Sequence, residues 1–203
     1  MGRPEAVSNA EILEVARRLF LEQGATLSAS EIAQALGVSH TTIFNRFGSK
    51  EQLMLAALAP LKETPWVAAL ESGPGPGSVR DQLVAHAQVV AAYFEDVRAG
   101  LAALQAAGID PSRACPGGGC ASAPARAFNA LTGWIERAQA QGAMAPGDAG
   151  VIASTILGAL HGQTLQVCGV ECDGSKSAYV ERFIHLMWHG VGGQVASGDS
   201  SAG

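Results

Sequence analysis

Aromatic residues are scarce in this chain of 203 residues, at 5%, and no apolar run is long enough to cross a bilayer as a helix. No basic segment leads into an apolar one, so no signal peptide is read and a cytoplasmic protein is expected. Basic charge is in short supply. Thirteen Lys and Arg stand against eighteen Asp and Glu, a formal net charge of −5, which sits badly with nucleic-acid binding by bulk charge. There is no Ser/His/Asp order, no Gly-rich phosphate loop after a strand and no His-Glu-x-x-His. The five histidines are scattered at 40, 86, 161, 185 and 189. An enzyme is therefore not expected, and no cofactor is implied. Internal repeats are absent as well.

What is present suits packed helices. Hydrophobic residues make up 48%, alanine and leucine prominent among them. The length allows one or two domains and a sizeable core. Charge is unevenly spread. Residues 1–50 hold five basic and five acidic side chains, so the remainder, with eight basic and thirteen acidic, carries the whole −5.

The most informative stretch is Ser28 to Leu53. Ser28-x-x-Glu31 has the form of a capping box. Ile32, Ala33 and Leu36 then line one face of a short helix, Gly37 stands where it must stop, and Val38 fills the corner. Ser39 suits the N-cap of a second helix, through Phe47. Ile43 and Phe47 point to the core, leaving His40, Thr41, Thr42, Asn45 and Arg46 outward. Two short helices about a Gly-containing turn, the second with a polar outer face, read as a helix-turn-helix. In such a motif the start of the second helix meets base edges in the major groove. An ordinary helical hairpin is the competing reading of a lone Gly-Val-Ser turn.

The whole N-terminal pattern resembles the DNA-binding domain of the TetR (tetracycline-repressor) family of bacterial regulators. The likeness rests on Ala16, Leu19 and Phe20 before Gly24, then Glu31-Ile32-Ala33, Gly37-Val38-Ser39, Thr42, Ile43, Phe47 and Ser49-Lys50-Glu51-x-Leu53. It covers roughly the first quarter of the chain. Two departures concern the backbone contacts: Phe44 stands where the family usually has a tyrosine, and Ala25 replaces the usual aromatic after Gly24. The resemblance implies an all-α protein of about nine helices. A three-helix DNA-binding domain would occupy 1–53 and a helical effector-binding and dimerisation domain 54–193. Residues 194–203, polar and small, read as a disordered tail. It further implies a homodimer through the last two long helices, a near-palindromic operator and a small-molecule effector. The expected DNA-binding residues are His40, Thr41, Thr42, Asn45, Arg46 and Lys50, with Thr42 and Lys50 on phosphates.

Farther along, Ser8 caps the first helix and Ser49 the fourth, whose apolar run Leu53 to Leu61 continues toward Trp66 and Leu70. Gly73-Pro74-Gly75-Pro76-Gly77 breaks the chain. Helical spacing predicts helices over 78–94, then a short one over 100–107, another from Ser122 or Ala123 to near Gly142, one with Pro146 in its first turn through Val167, and the last over 177–190. Two effector chemistries remain open. One is a mostly apolar pocket lined by Leu83, His86, Val90, Tyr93, Leu104, Trp134, Ile156 and His161, although a histidine among apolar positions is more often a satisfied core residue. The other is metal or redox sensing by Cys115, Cys120, Cys168 and Cys172, as four thiolates suit zinc or copper(I) and flexible loops let sulfurs meet. Against it, neither pair has the Cys-x2-Cys spacing. His185 and His189 are one turn apart and can chelate, but no partner acid is evident. An interaction module with a decayed reader is the remaining alternative class.

Overall fold

A computed structural model describes residues 7–60, 65–114, 122–164 and 176–190. Among them every regular element is helical: nine α-helices and two short 3-10 turns. No helix among the described residues is long and apolar enough to cross a membrane.

The first four helices are set by local signals. α1 (Asn9–Gln23) starts at Ser8, whose hydroxyl accepts the Glu11 N–H while the Glu11 carboxylate accepts the Ser8 N–H. Ile12, Ala16 and Phe20 form its buried stripe. A 3-10 turn over Gly24–Thr26 leads to α2 (Ala29–Ala35), and Ser28 with Glu31 closes the capping box that the spacing predicts. Gly37 takes φ +66, a conformation that L side chains resist, and turns the chain toward α3 (His40–Phe47). The Val38 N–H donates back to the Ala33 carbonyl at 3.0 Å and locks the corner. Ser39 caps α3 and Ser49 caps α4 (Lys50–Leu58). Ile32, Ile43, Leu53 and Leu58 meet Phe20 in one core. Each such burial contributes roughly 1.5–3 kcal/mol.

The fourth helix is shorter than the sequence suggests. The helix ends at Leu58, Leu61 lies outside the described residues, and Trp66 and Leu70 belong to a separate helix, α5 (Pro65–Glu71). Proline explains both edges. Pro60 pushes the preceding Ala59 to an extended ψ of 146°, and Pro65 fits a first helical position.

α6 (Val79–Ala106) corrects a second expectation: 78–94 and 100–107 are one helix of 28 residues. No proline interrupts it, and Gly100 is retained for packing rather than as a breaker. A Cβ there would stand 2.7 Å from the Leu58 carbonyl oxygen and 3.4 Å from Arg17 Nη2, so glycine lets α6 cross the end of α4. α7 (Ser122–Ala140), α8 (Ala149–Thr164) and α9 (Lys176–His189) follow. Pro146 does not enter α8. That helix begins after Asp148, whose carboxylate accepts the Val151 N–H at 3.0 Å, a stronger start signal than proline. Leu83, Val90, Trp134, Ile135, Ile156 and Ile184, with their neighbours, make a second core. The first core runs on through Leu58, past the expected domain edge after residue 53, and α6 contributes to both. The proposed tail over 194–203 and the end of the eighth helix at Val167 lie outside the described residues.

Candidate nucleic-acid interface

α3 presents one apolar and one polar side. Ile43 is buried and Phe47 half-buried against the first core, while His40, Thr41, Asn45 and Arg46 are exposed and Thr42 is half-buried. Thr41 and Asn45 are one turn apart, so both stand on the same outer face. Their amide and hydroxyl groups are of the kind that pair with base edges. The helix start is held fixed: Ser39 Oγ accepts the Thr42 N–H at 3.2 Å and hydrogen-bonds the Thr42 hydroxyl at 2.8 Å. The His40 ring leans on Phe44 with centroids 4.3 Å apart, so the phenyl that replaces a phenol serves as a platform for the imidazole.

The two cations among the expected DNA-binding residues are engaged within the chain. The Lys50 ammonium donates to the Ala25 carbonyl, and Arg46 Nη1 donates to the Val7 carbonyl and, at 3.4 Å, to Asn9 Oδ1. Both cations thus fasten α3 and α4 to neighbouring segments. Two acids of this domain are occupied as well. Hydrogen bonds from Ser8 hold the Glu11 carboxyl below its ordinary range, and those from Ser28 do the same for Glu31.

The residues expected to line an effector pocket do not all come together. Leu83, Val90, Trp134 and Ile156 are buried in the second core, with Tyr93 packed against it. His86 meets the Trp134 ring edge-on at 5.5 Å, and the His161 ring lies tilted 5.4 Å from Phe94 while staying exposed. Leu104 is the exception. It sits fourteen residues along α6 from Val90 and is buried in the first core, where it helps seat α6 on the first four helices. Trp66, which the sequence reading left out, is 5.9 Å from Tyr93. Its helical spacing from Leu70 was the available signal. An open cavity of about 300 Å³ lies elsewhere, lined by Glu71, Arg126, Asn129, Ala130, Gly133 and Arg137. There Arg137 Nη2 donates to the Leu70 carbonyl at 2.8 Å and so caps the end of α5.

Burial lowers the His86 pKa from its ordinary 6.5, so the imidazole is neutral at pH 7. Burial, and then the Asp96 charge, raise that of Tyr93, with Arg17 opposing, and its phenol stays protonated. For His86 the folded state binds its proton less tightly than the unfolded chain. Stability is then fully present above about pH 6.5 and falls on acidification through the lowered value. Thermal melts between pH 7 and pH 5 should show that fall, and it should be smaller in His86→Gln. An identical pH dependence in the variant would show that His86 is not its source.

The four cysteines lie outside the described residues. The His185 and His189 rings are 4.4 Å apart on exposed α9 positions, and no group of three His, Cys, Asp or Glu fit for a metal ion occurs among the described residues.

One further link, between α1 and α6, was not read from the sequence. Arg17 Nε and Nη2 donate to the two Asp96 carboxylate oxygens at 3.2 and 2.5 Å, and Nη1 donates to the Ala57 carbonyl at 2.9 Å. One guanidinium thereby ties α1, the end of α4 and α6.

Residues 12–57 match the family model for bacterial regulatory proteins of the tetR family. No curated protein sequence matches the chain. Among solved structures, the fold is similar to the TetR transcriptional regulator SCO0520 from Streptomyces coelicolor, at 25% identity and TM-score 0.54, covering 90% of this chain and 97% of that one. It is similar to the TetR-family regulator PfmR from Thermus thermophilus, at 22% and 0.58, covering 90% and 99%. It also resembles a putative transcriptional regulator from Saccharomonospora viridis solved in complex with choline, at 23% and 0.61, covering 88% and 94%.

Proposed function

We propose that this chain is a TetR-family transcriptional regulator, a repressor which leaves its operator when a small, mostly apolar effector binds; the family match over residues 12–57 and the likeness of the fold to regulators of that family support the reading. The observation that carries DNA reading is the outer face of α3, where Thr41 and Asn45 stand exposed on a helix capped by Ser39 and seated by Ile43. Few cations surround that face, so one reader makes few phosphate contacts. A two-fold dimer on a near-palindromic site supplies the missing affinity. Its interface is the outer side of α8 and α9. Val151, Leu186 and Met187 are exposed there at 60%, 48% and 36%, beside exposed Gly158.

In this reading Thr41 and Asn45 reach base edges, while Thr42 and Lys50 reach phosphates. His40 and Arg46 stand at the margin and serve either. The test is a mobility-shift assay on DNA from the protein's own promoter region. Asn45→Ala should relax specificity at one position in each half-site, a loss of roughly 1–3 kcal/mol of discrimination. Lys50→Ala should weaken all sequences alike and flatten the salt dependence, since an ammonium at a phosphate reads charge and not sequence. No shift with any promoter fragment would defeat the reading. Unchanged binding in both variants would defeat this assignment of residues.

The effector side rests on the second core, where α5, α6, α7 and α8 bring Trp66, His86, Tyr93, Trp134 and Ile156 together among apolar neighbours. α6 carries His86 and Tyr93 and also touches the reader through Gly100 and Asp96. A ligand that favours a different α6 position would shift the readers and lower operator affinity by that preference.

A further inference from the structure

The second core contains two indole N–H groups, Trp66 Nε1 and Trp134 Nε1, that are buried with no acceptor among the described residues. Trp134 is 0% exposed and Trp66 6%. Buried donors are nearly always paired, because an unpaired one forfeits its hydrogen bond to water with nothing in return. Two in one core, on the adjoining helices α5 and α7, are a standing preference for an oxygen or nitrogen acceptor. The polar groups beside them do not supply one. The imidazole of His86 meets Trp134 edge-on, and Tyr93 lies 5.9 Å from Trp66 with its rings tilted. Each stands beside one of the indoles, one a neutral imidazole and the other a protonated phenol.

Charge narrows the occupant further. The ionic groups that act on Tyr93 are Asp96 and Arg17, and they are already paired with each other. Neither is left to receive a charged ligand. The core residues packed with the two indoles include Leu83, Val90 and Ile156. Burying an uncompensated charge there is far more costly than burying a carbonyl that gains a donor.

We infer that this core is the effector site and takes an uncharged, largely apolar molecule carrying a carbonyl-type oxygen, held by the Trp66 and Trp134 indole N–H groups. This rests on the ligand-responsive reading above and names the ligand class of the same site. It sets this chain apart from a site for a quaternary ammonium, which needs aromatic faces toward a cation rather than N–H donors toward an oxygen.

The experiment is calorimetry on the full chain with four probes of related shape: benzophenone, its hydrocarbon counterpart diphenylmethane, diphenylacetate and benzyltrimethylammonium. The wild type should bind benzophenone at least tenfold tighter than the other three. The double variant Trp66→Phe with Trp134→Phe keeps the rings and removes both donors, so benzophenone and diphenylmethane should then bind alike. Trp134→Phe alone provides a milder variant, with thermal melts verifying that it folds, and should lose part of the preference. No benzophenone binding, equal binding of ketone and hydrocarbon to the wild type, tighter binding of either ion, or a ketone preference that survives the double variant would each overturn the assignment. Operator binding is read separately by mobility shift. A ketone preference without operator binding would sink the regulator and leave this site standing, and operator binding without the preference would do the reverse.

Discussion

Gly158→Glu is expected to leave each chain folded and to separate it from its partner, and operator binding should fall by a hundredfold or more. Gly158 is exposed on α8, and a Cβ there meets nothing within 4 Å, so the monomer has room for the new side chain. Glutamate is also the better helix former, by roughly 0.5 kcal/mol. The damage is confined to the proposed interface. On one side of α8, Ala149, Ala153, Ile156 and Leu160 are buried against the second core; on the other, Val151, Ser154, Thr155 and Gly158 face outward with small volumes. A two-fold axis through such a face brings each glutamate into an apolar contact, where an unpaired charge is costly. Losing the second reader removes an effective-concentration gain of about 10²–10⁴. Phe183 is a poorer place for the same test. It is half-buried against the second core and lies parallel to Tyr179 with ring centroids 6.3 Å apart, so a charge there would strike the fold and the interface together. Light scattering should give a Gly158→Glu monomer with wild-type helix content. A wild-type monomer at micromolar concentration, or a variant that stays dimeric, would dispose of this interface.

The reader was legible because its instructions are local. Ser8, Ser28, Ser39 and Ser49 each stand three residues before the N–H they accept, and Gly37 marks the corner, so a short window holds the signal. The second half offered less. Gly100 looked like a helix boundary, since nothing near it in sequence reveals that the Leu58 carbonyl, on another helix, requires a missing Cβ. Leu104 has the spacing of an α6 core residue, yet a 28-residue helix is long enough to leave one core and enter another. Pro60 and Pro65 were visible in the sequence and outweighed the apolar run that suggested a continuous fourth helix. For the effector site, composition pointed to apolar lining. The unpaired indoles emerge only when helices far apart in sequence are packed and their acceptors counted.

Arg17→Ala is expected to lower stability and also to weaken the link between effector and operator. The Arg17 side chain is 16% exposed and makes four hydrogen bonds: a two-pronged grip on the Asp96 carboxylate, one to the Asp96 carbonyl and one to the Ala57 carbonyl at the end of α4. Hydrogen bonds to charged groups contribute about 1.5–3 kcal/mol. For a chain of this size that is a Tm lower by roughly 5–10 °C. Arg17→Lys should recover little, because an ammonium cannot reproduce the planar fork. The mechanistic consequence follows from position. Asp96 is three residues from Tyr93 and four from Gly100, so a movement of α6 at the effector core is delivered to α1 and α4 through this grip and through the Leu58 contact. With the grip removed, ligand should still bind, yet release less DNA. The two effects separate in a double-mutant cycle of Arg17→Ala with Asp96→Ala, reading ligand affinity with and without operator. If the pair transmits the signal, each single variant lowers the coupling and the double variant lowers it little further. If coupling stays at the wild-type value while Tm falls, Arg17 holds the two cores together but carries no signal between them.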